Sequence, residues 1–199
     1  MKDIVEDSNF LNEYEKIHLQ NILPNINFYW SKYTTSDAFP MYYHLLVDRA
    51  NENEFDEKTP IKIKSEFFYF FHSIVDNFCA KHKIHYSNVI RACLNSTFHV
   101  PNYDHWEPHI DFSKEHYVLI LYMSKFSQDS PTLIFDKCQN YDDKNTYLDI
   151  KQYENKLKIK KEIVPEFGKI CLFDGKYYHS NKNPSPGDNR LVCVFNLLK

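Results

Sequence analysis

The second half of the chain consists of short apolar segments separated by turn residues, and this pattern restricts the fold more than any other feature. The segments have the lengths and the β-branched and aromatic content of strands, and they are Val89–His99, Tyr117–Met123, Thr132–Phe135, Lys156–Val164, Lys169–Phe173 and Leu191–Leu198. Only three glycines occur in 199 residues, so most of the turns must use Asn, Asp and Pro. Many short strands joined by turns predict a jelly-roll-type sandwich.

The first 85 residues contain helical patterns as well as strands. Helical periodicity is found at Phe10–Ile17 and Ile63–His82, and strand character at Phe28–Tyr33 and Met41–Val47. Asp7 or Ser8 is the expected N-cap of the first helix. The acidic segment Asp48–Thr59 is either a solvated connection or a lid over a site.

Helices first and short strands afterwards predict a mainly β protein of the α+β class, with the N-terminal helices packed on one sheet. The sequence shows no internal repeat and no low-complexity linker, so residues 1–199 are expected to form a single domain. Within it, residues 1–85 form a supporting region and residues 86–199 the jelly-roll core. A polar insert, Gln139–Glu154, interrupts the strands of that core.

Charge and cysteine usage argue against nucleic-acid binding and against a zinc knuckle or a redox pair of cysteines. The net charge is −3, and the one dense basic stretch, residues 156–161, alternates like the exposed face of a strand, so nucleic acid is a disfavoured partner. The five cysteines form no CxxC pair, so neither a zinc knuckle nor a redox pair is expected. Cys93, Cys171 and Cys193 lie in apolar strands and are expected in the core. No stretch has the length of a membrane span or the apolar centre of a signal peptide, so a cytoplasmic location is expected.

Three candidate metal ligands stand out in the sequence. His109 and Asp111 are two residues apart, so both side chains point to the same side of an extended chain. His179, which follows a predicted strand, offers a third ligand. Two imidazoles and one carboxylate on one face leave three coordination positions open, as non-haem Fe(II) requires. Taken alone, however, a His-x-Asp pair arises by chance among ten histidines, and His109 would then be a structural histidine.

Arg190 opens the last predicted strand, eleven residues after His179. Arg190, Val192, Val194 and Asn196 share one face of that strand because side chains alternate. A guanidinium group at the mouth of an apolar barrel needs a carboxylate partner. The distal carboxylate of 2-oxoglutarate meets this need through two parallel hydrogen bonds.

The order and spacing of these motifs resemble the 2-oxoglutarate and Fe(II)-dependent oxygenases, and within them the prolyl-4-hydroxylase-like enzymes, including short forms found in phages. The resemblance runs from about Val89 to Asn196. It rests on His109-x-Asp111, the segment Ser130–Phe135, the segment Pro165–Lys169 leading into Leu172–Gly175, His179 and Arg190.

The resemblance implies a double-stranded β-helix (cupin-like) core, with Fe(II) bound by His109, Asp111 and His179. It implies that Arg190 holds the 2-oxoglutarate co-substrate, that O2 is the second co-substrate, and that ascorbate is an accessory reductant. The phage relatives would act in the host cytoplasm. Other residues expected near the co-substrate are Thr132, Asn95, His99 and Tyr122; an ordinary strand histidine is the alternative for His99, and core packing for Tyr122.

Several positions depart from the family pattern. Asp129-Ser130-Pro131 stands where prolyl hydroxylases commonly carry Gly-Gly before the threonine, and the co-substrate position holds arginine, as in only part of that subgroup. Asn196 occupies the place of a second arginine in nucleic-acid demethylases, which argues against that activity. Halogenases lose the carboxylate ligand, so the presence of Asp111 favours hydroxylation.

The sequence leaves the substrate open. A peptidyl-proline or related protein hydroxylase is the first hypothesis, a hydroxylase of a free amino acid or other small molecule the second, and a non-catalytic cupin-like binding protein the third. A long groove would favour a peptide, and a closed pocket a small molecule. Four aromatic residues could stack on the substrate or merely fill the barrel mouth: Tyr103, Trp106, Tyr177 and Tyr178. The oligomeric state is also open.

Overall fold

Ten strands and two helices follow one another in the computed structural model, which describes residues 3–34, 39–49, 51, 55–124, 128–139 and 157–199. In chain order they are β1 (Ile4–Asp7), α1 (Glu13–Ile22), β2 (Tyr29–Ser31), β3 (Met41–Val47), α2 (Phe67–His82), β4 (Asn88–Phe98), β5 (His116–Tyr122), β6 (Thr132–Cys138), β7 (Ile159–Ile163), β8 (Ile170–Asp174), β9 (Tyr177–Asn181) and β10 (Asn189–Leu198). Most of the polar insert Gln139–Glu154 and part of the segment Asp48–Thr59 lie outside the described residues.

The strands form two antiparallel sheets. The larger has seven strands in the order β1-β8-β5-β10-β4-β3-β2, and the smaller has three in the order β7-β6-β9. The long strands β4 and β10 pair along the middle of the larger sheet, from Asn189 opposite Phe98 to Leu198 opposite Asn88. The expected mainly β fold, with helices against a two-sheet core, is confirmed.

The segment before β5 adds a partial fourth strand to the smaller sheet. His105 bridges Lys182, and His109 bridges His179, both antiparallel. The second bridge has two backbone hydrogen bonds of 3.0 Å, one in each direction. Two segments that are distant in the sequence are thereby fixed side by side at the positions of the two histidines.

Helix α2 covers the outer face of the larger sheet. Its buried side consists of Phe68, Phe71, Ile74, Val75, Phe78 and Cys79. These side chains join one apolar cluster with sheet residues such as Leu94, Leu119 and Phe195. The helix ends at Lys83, whose left-handed backbone (φ 55°) allows its N–H to reach the carbonyl of Ala80. In the described parts of the chain, neither helix combines the length and the apolarity needed to cross a bilayer.

The N-terminal region differs in detail from the expectation. Helix α1 begins at Glu13, and its N-cap is Asn12, which forms a capping box with Glu15. The predicted cap Asp7 is wrong because it ends strand β1, where its carboxylate pairs with Lys81 and His82. Strands β1, β2 and β3 also belong to the larger sheet, so residues 1–85 complete the sandwich as well as supporting it.

The expected core cysteines are confirmed, since Cys93, Cys171 and Cys193 are all buried. The end of the basic stretch enters β7, an edge strand of the smaller sheet in which Ile159, Lys160, Lys161 and Glu162 are all exposed. This is the exposed strand that the alternation of the basic stretch predicted.

We expect Phe71→Ala to lower the free energy of unfolding by about 3–5 kcal/mol, because it leaves a cavity between α2 and the sheet. Phe71 is 1% exposed. Tyr69→Ala on the same helix is the matched control, since Tyr69 is 66% exposed and the change there should stay within about 0.5 kcal/mol. Urea unfolding followed by circular dichroism measures both, and equal losses would contradict this packing.

Candidate metal centre

Backbone pairing brings the three expected metal ligands together. The bridge between His109 and His179 sets the two imidazoles side by side, with ring centroids 4.7 Å apart. Asp111 lies two residues further along the first segment, and one ligand atom from each of the three residues lies within 4.8 Å of the others. His109 Nε2 is 3.7 Å from Asp111 Oδ1, and His179 Nε2 is 3.4 Å from Asp111 Oδ2.

Hydrogen bonds fix the orientation of each ligand. His109 Nδ1 lies 2.8 Å from the carbonyl oxygen of Glu107, and His179 Nδ1 lies 3.2 Å from that of Tyr177. A ring nitrogen bound to a carbonyl must carry the proton, so each Nε2 has its lone pair free for a metal. Asn196 Nδ2 donates to Asp111 Oδ2 at 2.8 Å and holds the carboxylate in place.

The electrostatics of the cluster favour the protonation states that a metal needs. Burial, followed by the charge of His179, lowers the pKa of His109 to about 4. Burial opposes ionisation of Asp111, but the adjoining imidazoles outweigh it when they are protonated, His179 through a hydrogen bond and its charge and His109 through its charge, and they hold the pKa of Asp111 well below its usual value. A neutral imidazole and an ionised carboxylate are the ligand forms that bind divalent iron.

Arg190 is a buried cation without a carboxylate partner in the described chain. Arg190 is 4% exposed, and no ion pair among the described residues includes it. Its Nε donates to the carbonyl of Ser130 at 3.2 Å, and its NH2 group donates to Thr132 Oγ1 at 2.7 Å. Burial lowers the pKa of Arg190. Because an unpaired buried charge costs free energy, a bound anion would stabilise the guanidinium here.

One cavity of about 360 Å³ contains both the ligand cluster and Arg190. Strands β3, β4, β5 and β10 of the larger sheet form one wall, and the ligand segments with Thr132 form the other. Apolar side chains line much of the first wall, among them Val118, Ile120, Val192 and Val194. The cavity is therefore a partly open pocket with mixed apolar and charged lining, as is usual for small-molecule sites.

The other residues expected near the co-substrate divide into two groups. Thr132 and Asn95 line the cavity, and Asn95 Oδ1 is buried with no hydrogen-bond partner. Tyr122 lies behind the wall, where its hydroxyl meets Thr132 Oγ1 at 2.6 Å. His99 follows the end of β4 at Phe98, its Nδ1 lies 2.9 Å from the carbonyl oxygen of Pro184, and it is not among the residues that line the cavity.

Of the four aromatic candidates for stacking on a substrate, only Trp106 lines the cavity, stacked on Phe39 with centroids 5.1 Å apart. Tyr177 and Tyr178 are buried in separate apolar clusters, and Tyr103 is 45% exposed. Tyr177 and Tyr178 therefore serve core packing, Tyr103 lies at the surface, and none of the three lines the cavity.

The charged cavity residues that sequence reasoning missed are Arg49 and Arg91, and it also missed the contact of Asn196 with Asp111. Strand alternation does put Asn196 on the same face as Arg190. Arg49 and Arg91 belong neither to the His109-x-Asp111 motif nor to the segment with His179 and Arg190. The sequence signal that could have found them is the rarity of arginine, which occurs at only three positions in a chain with 24 basic residues.

The sequence matches no protein-family model and no curated protein. Solved structures do match over nearly the whole chain. A 2OG-Fe(II) oxygenase family oxidoreductase from Burkholderia pseudomallei superposes with a TM-score of 0.65 at 9% identity, covering 98% of this chain and 84% of that one. HygX from Streptomyces hygroscopicus, with nickel, 2-oxoglutarate and hygromycin B bound, gives 0.58 at 11%, covering 98% and 82%.

A prolyl hydroxylase from Trichoplax adhaerens, in complex with a hypoxia inducible factor peptide fragment, gives a TM-score of 0.60 at 13% identity, covering all of this chain and 84% of that one. At such identities the likeness describes the fold. The chain has the fold of the 2OG-Fe(II) oxygenases, as the sequence motifs predicted.

Proposed function

We propose that the protein is an Fe(II)- and 2-oxoglutarate-dependent dioxygenase that hydroxylates a C–H bond. The observation that carries the proposal is the presence, in one cavity, of a His-Asp-His cluster and a buried arginine that lacks a carboxylate partner in the described chain. Neither the His-Asp-His cluster nor the buried arginine alone identifies a ligand. A molecule that chelates the metal and carries a second, distant carboxylate would bind to both. The oxygenase fold supports the same conclusion.

The residues present fit both groups. His109, Asp111 and His179 supply two nitrogen ligands and one oxygen ligand on one side, which suits Fe(II) with open positions. Arg190 can hold the distal carboxylate of 2-oxoglutarate bidentately, with Thr132 beside it as a further hydrogen-bonding group. When bound, iron with 2-oxoglutarate and O2 would supply the oxidising power for C–H hydroxylation, with succinate and CO2 as co-products.

The chain's own residues would orient and shield the reactants. Thr132 ties Arg190 to Tyr122 through hydrogen bonds of 2.7 and 2.6 Å, so the guanidinium has a fixed direction. Asn196 holds one oxygen of Asp111. The valines and isoleucine of the β5 and β10 wall make that side of the cavity apolar, which strengthens charge interactions beside it.

Two substrate classes follow from this proposal. A prolyl-type peptide hydroxylase is supported by the likeness to a peptide-bound prolyl hydroxylase. A small-molecule hydroxylase, for a free amino acid for example, is supported by the cavity of about 360 Å³, which lies at the small end of ligand pockets. A panel of peptides and free amino acids, read by a mass gain of one oxygen, separates them.

We expect His109→Ala and Asp111→Ala to abolish succinate formation from 2-oxoglutarate, because either change removes a metal ligand. His85→Ala is the matched control, since His85 is exposed and outside the cavity. Succinate is measured by NMR with Fe(II) and O2 supplied, with and without candidate substrates. Undiminished succinate from His109→Ala would refute the assignment, and failure of the wild type with every substrate, despite metal binding, would favour a cupin-like binding protein.

We expect Arg190→Gln to weaken 2-oxoglutarate binding about 100-fold, because a buried charge-assisted pair is lost. Arg190→Lys should recover part of the affinity, since it restores the charge without the planar fork. Calorimetric titration of the Ni(II)-loaded protein gives the dissociation constants. Lys158→Gln, a charge removal at an exposed position outside the cavity, is the control, and equal weakening in both variants would contradict the role of Arg190.

We expect Asn196→Ala to reduce metal affinity about 10- to 100-fold, because hydrogen-bond partners of ligating carboxylates tune binding to that extent. Asn189→Ala at the exposed start of the same strand should leave it unchanged. Titration with Ni(II) measures both constants. Unaltered affinity in Asn196→Ala would mean that the hydrogen bond to Asp111 has no part in orienting the ligand.

A further inference from the structure

Arginine is used very selectively in this chain. Of 24 Lys and Arg residues, only Arg49, Arg91 and Arg190 are arginines. All three line the cavity that contains the metal-ligand cluster. Every other basic residue is lysine, so these three positions offer what the rest of the chain lacks, a planar fork that can bind a carboxylate through two hydrogen bonds.

The arginines lie at opposite ends of the cavity wall. In the β4–β10 ladder, Arg190 is opposite Thr97 and Arg91 is opposite Asn196. Six residues separate these two levels, which corresponds to about 20 Å along the strands. Asn196 bonds Asp111, so Arg91 lies at the Asp111 end, whereas Arg190 lies at the Thr132 end.

Arg49 belongs to the Arg91 end. It follows β3 by two residues, and the last residue of β3, Val47, pairs with Ala92, the neighbour of Arg91. The charges of Arg91 and Arg49 act on Asp111 and His109, respectively. Both guanidinium groups are therefore within electrostatic reach of the ligand cluster, on the side away from Arg190.

Neither arginine has a carboxylate partner within the described parts of the chain, because no ion pair there includes Arg49 or Arg91. Arg91 is half-buried and Arg49 is exposed at the rim. Between the two ends, on the same face of β4, Asn95 Oδ1 is buried without a donor. The described cavity thus presents two cations and one hydrogen-bond acceptor that the co-substrate at Arg190 does not use.

We propose that the substrate carries a carboxylate, which Arg91 binds with help from Arg49 at the Asp111 end of the cavity. This inference rests on the proposed function, in which Arg190 is occupied by 2-oxoglutarate. Asn95 accepts a hydrogen bond from an N–H or O–H of the same substrate. The carboxylate belongs either to a free amino acid or to an acidic side chain of a peptide, and the recognition chemistry is the same for both.

The test uses Ni(II)-loaded protein with saturating 2-oxoglutarate, so that Arg190 is occupied and turnover is absent. One arm titrates free amino acids against their carboxamides, and the other titrates blocked tripeptides with a central Asp or Glu against those with Asn or Gln. Ligand-observed NMR and calorimetry give the dissociation constants. In one arm, we expect the acids to bind at least about 10-fold more tightly than the amides, and the arm that responds identifies the source of the carboxylate.

We expect Arg91→Gln to remove this preference for acids, Arg91→Lys to retain part of it, and Lys158→Gln to retain all of it. Acids and amides that bind equally well in both arms would overturn the proposal. So would an Arg91→Gln variant that loses Ni(II) affinity but keeps the acid preference, since Arg91 would then serve Asp111. Absence of 2-oxoglutarate binding to the wild type would instead refute the proposed function, on which this inference rests.

Discussion

The site depends on one piece of backbone pairing, the two hydrogen bonds between His109 and His179. These residues are 70 positions apart, and without the bridge nothing local would bring their rings together. The bridge is antiparallel and continues β9, which is itself paired with β6 from Asn181 opposite Thr132 to His179 opposite Ile134. The small sheet therefore determines the distance between the ligands and, through Thr132, the distance from the ligands to Arg190.

Much of the fold could be predicted from the sequence because side-chain alternation and turn residues are local signals. The strands β4, β5, β8 and β10 have observed bounds within two residues of those expected. Strand β9 was not predicted, since Tyr177–Asn181 contains mostly polar and aromatic residues and is a strand because both of its neighbours pair with it. Strand β1 has only four residues, two of them acidic, and its pairing with β8 is likewise a tertiary effect.

The same division applies to the site. His109, Asp111, His179 and Arg190 could be named because their spacing and strand context follow a pattern, and the structure places all four in one cavity. Arg49 and Arg91 could not, because they come from the end of β3 and the start of β4, and only the register between these strands brings them to the pocket. His99 was expected on the same face by continuing the alternation along β4, but the strand ends at Phe98 and His99 is not among the residues that line the cavity.

The short outer strands of the larger sheet have a consequence for how copies of the protein meet. Its two edges are β1, with four residues, and β2, with three. Strand β1 also carries charge, since Glu6 pairs with Lys161 and Lys169, and Asp7 with Lys81. Brief, charged edges offer few free backbone groups to another chain. The two edges of the larger sheet are thus poor templates for strand addition, so β7, at the edge of the smaller sheet, is the described strand that another copy could extend.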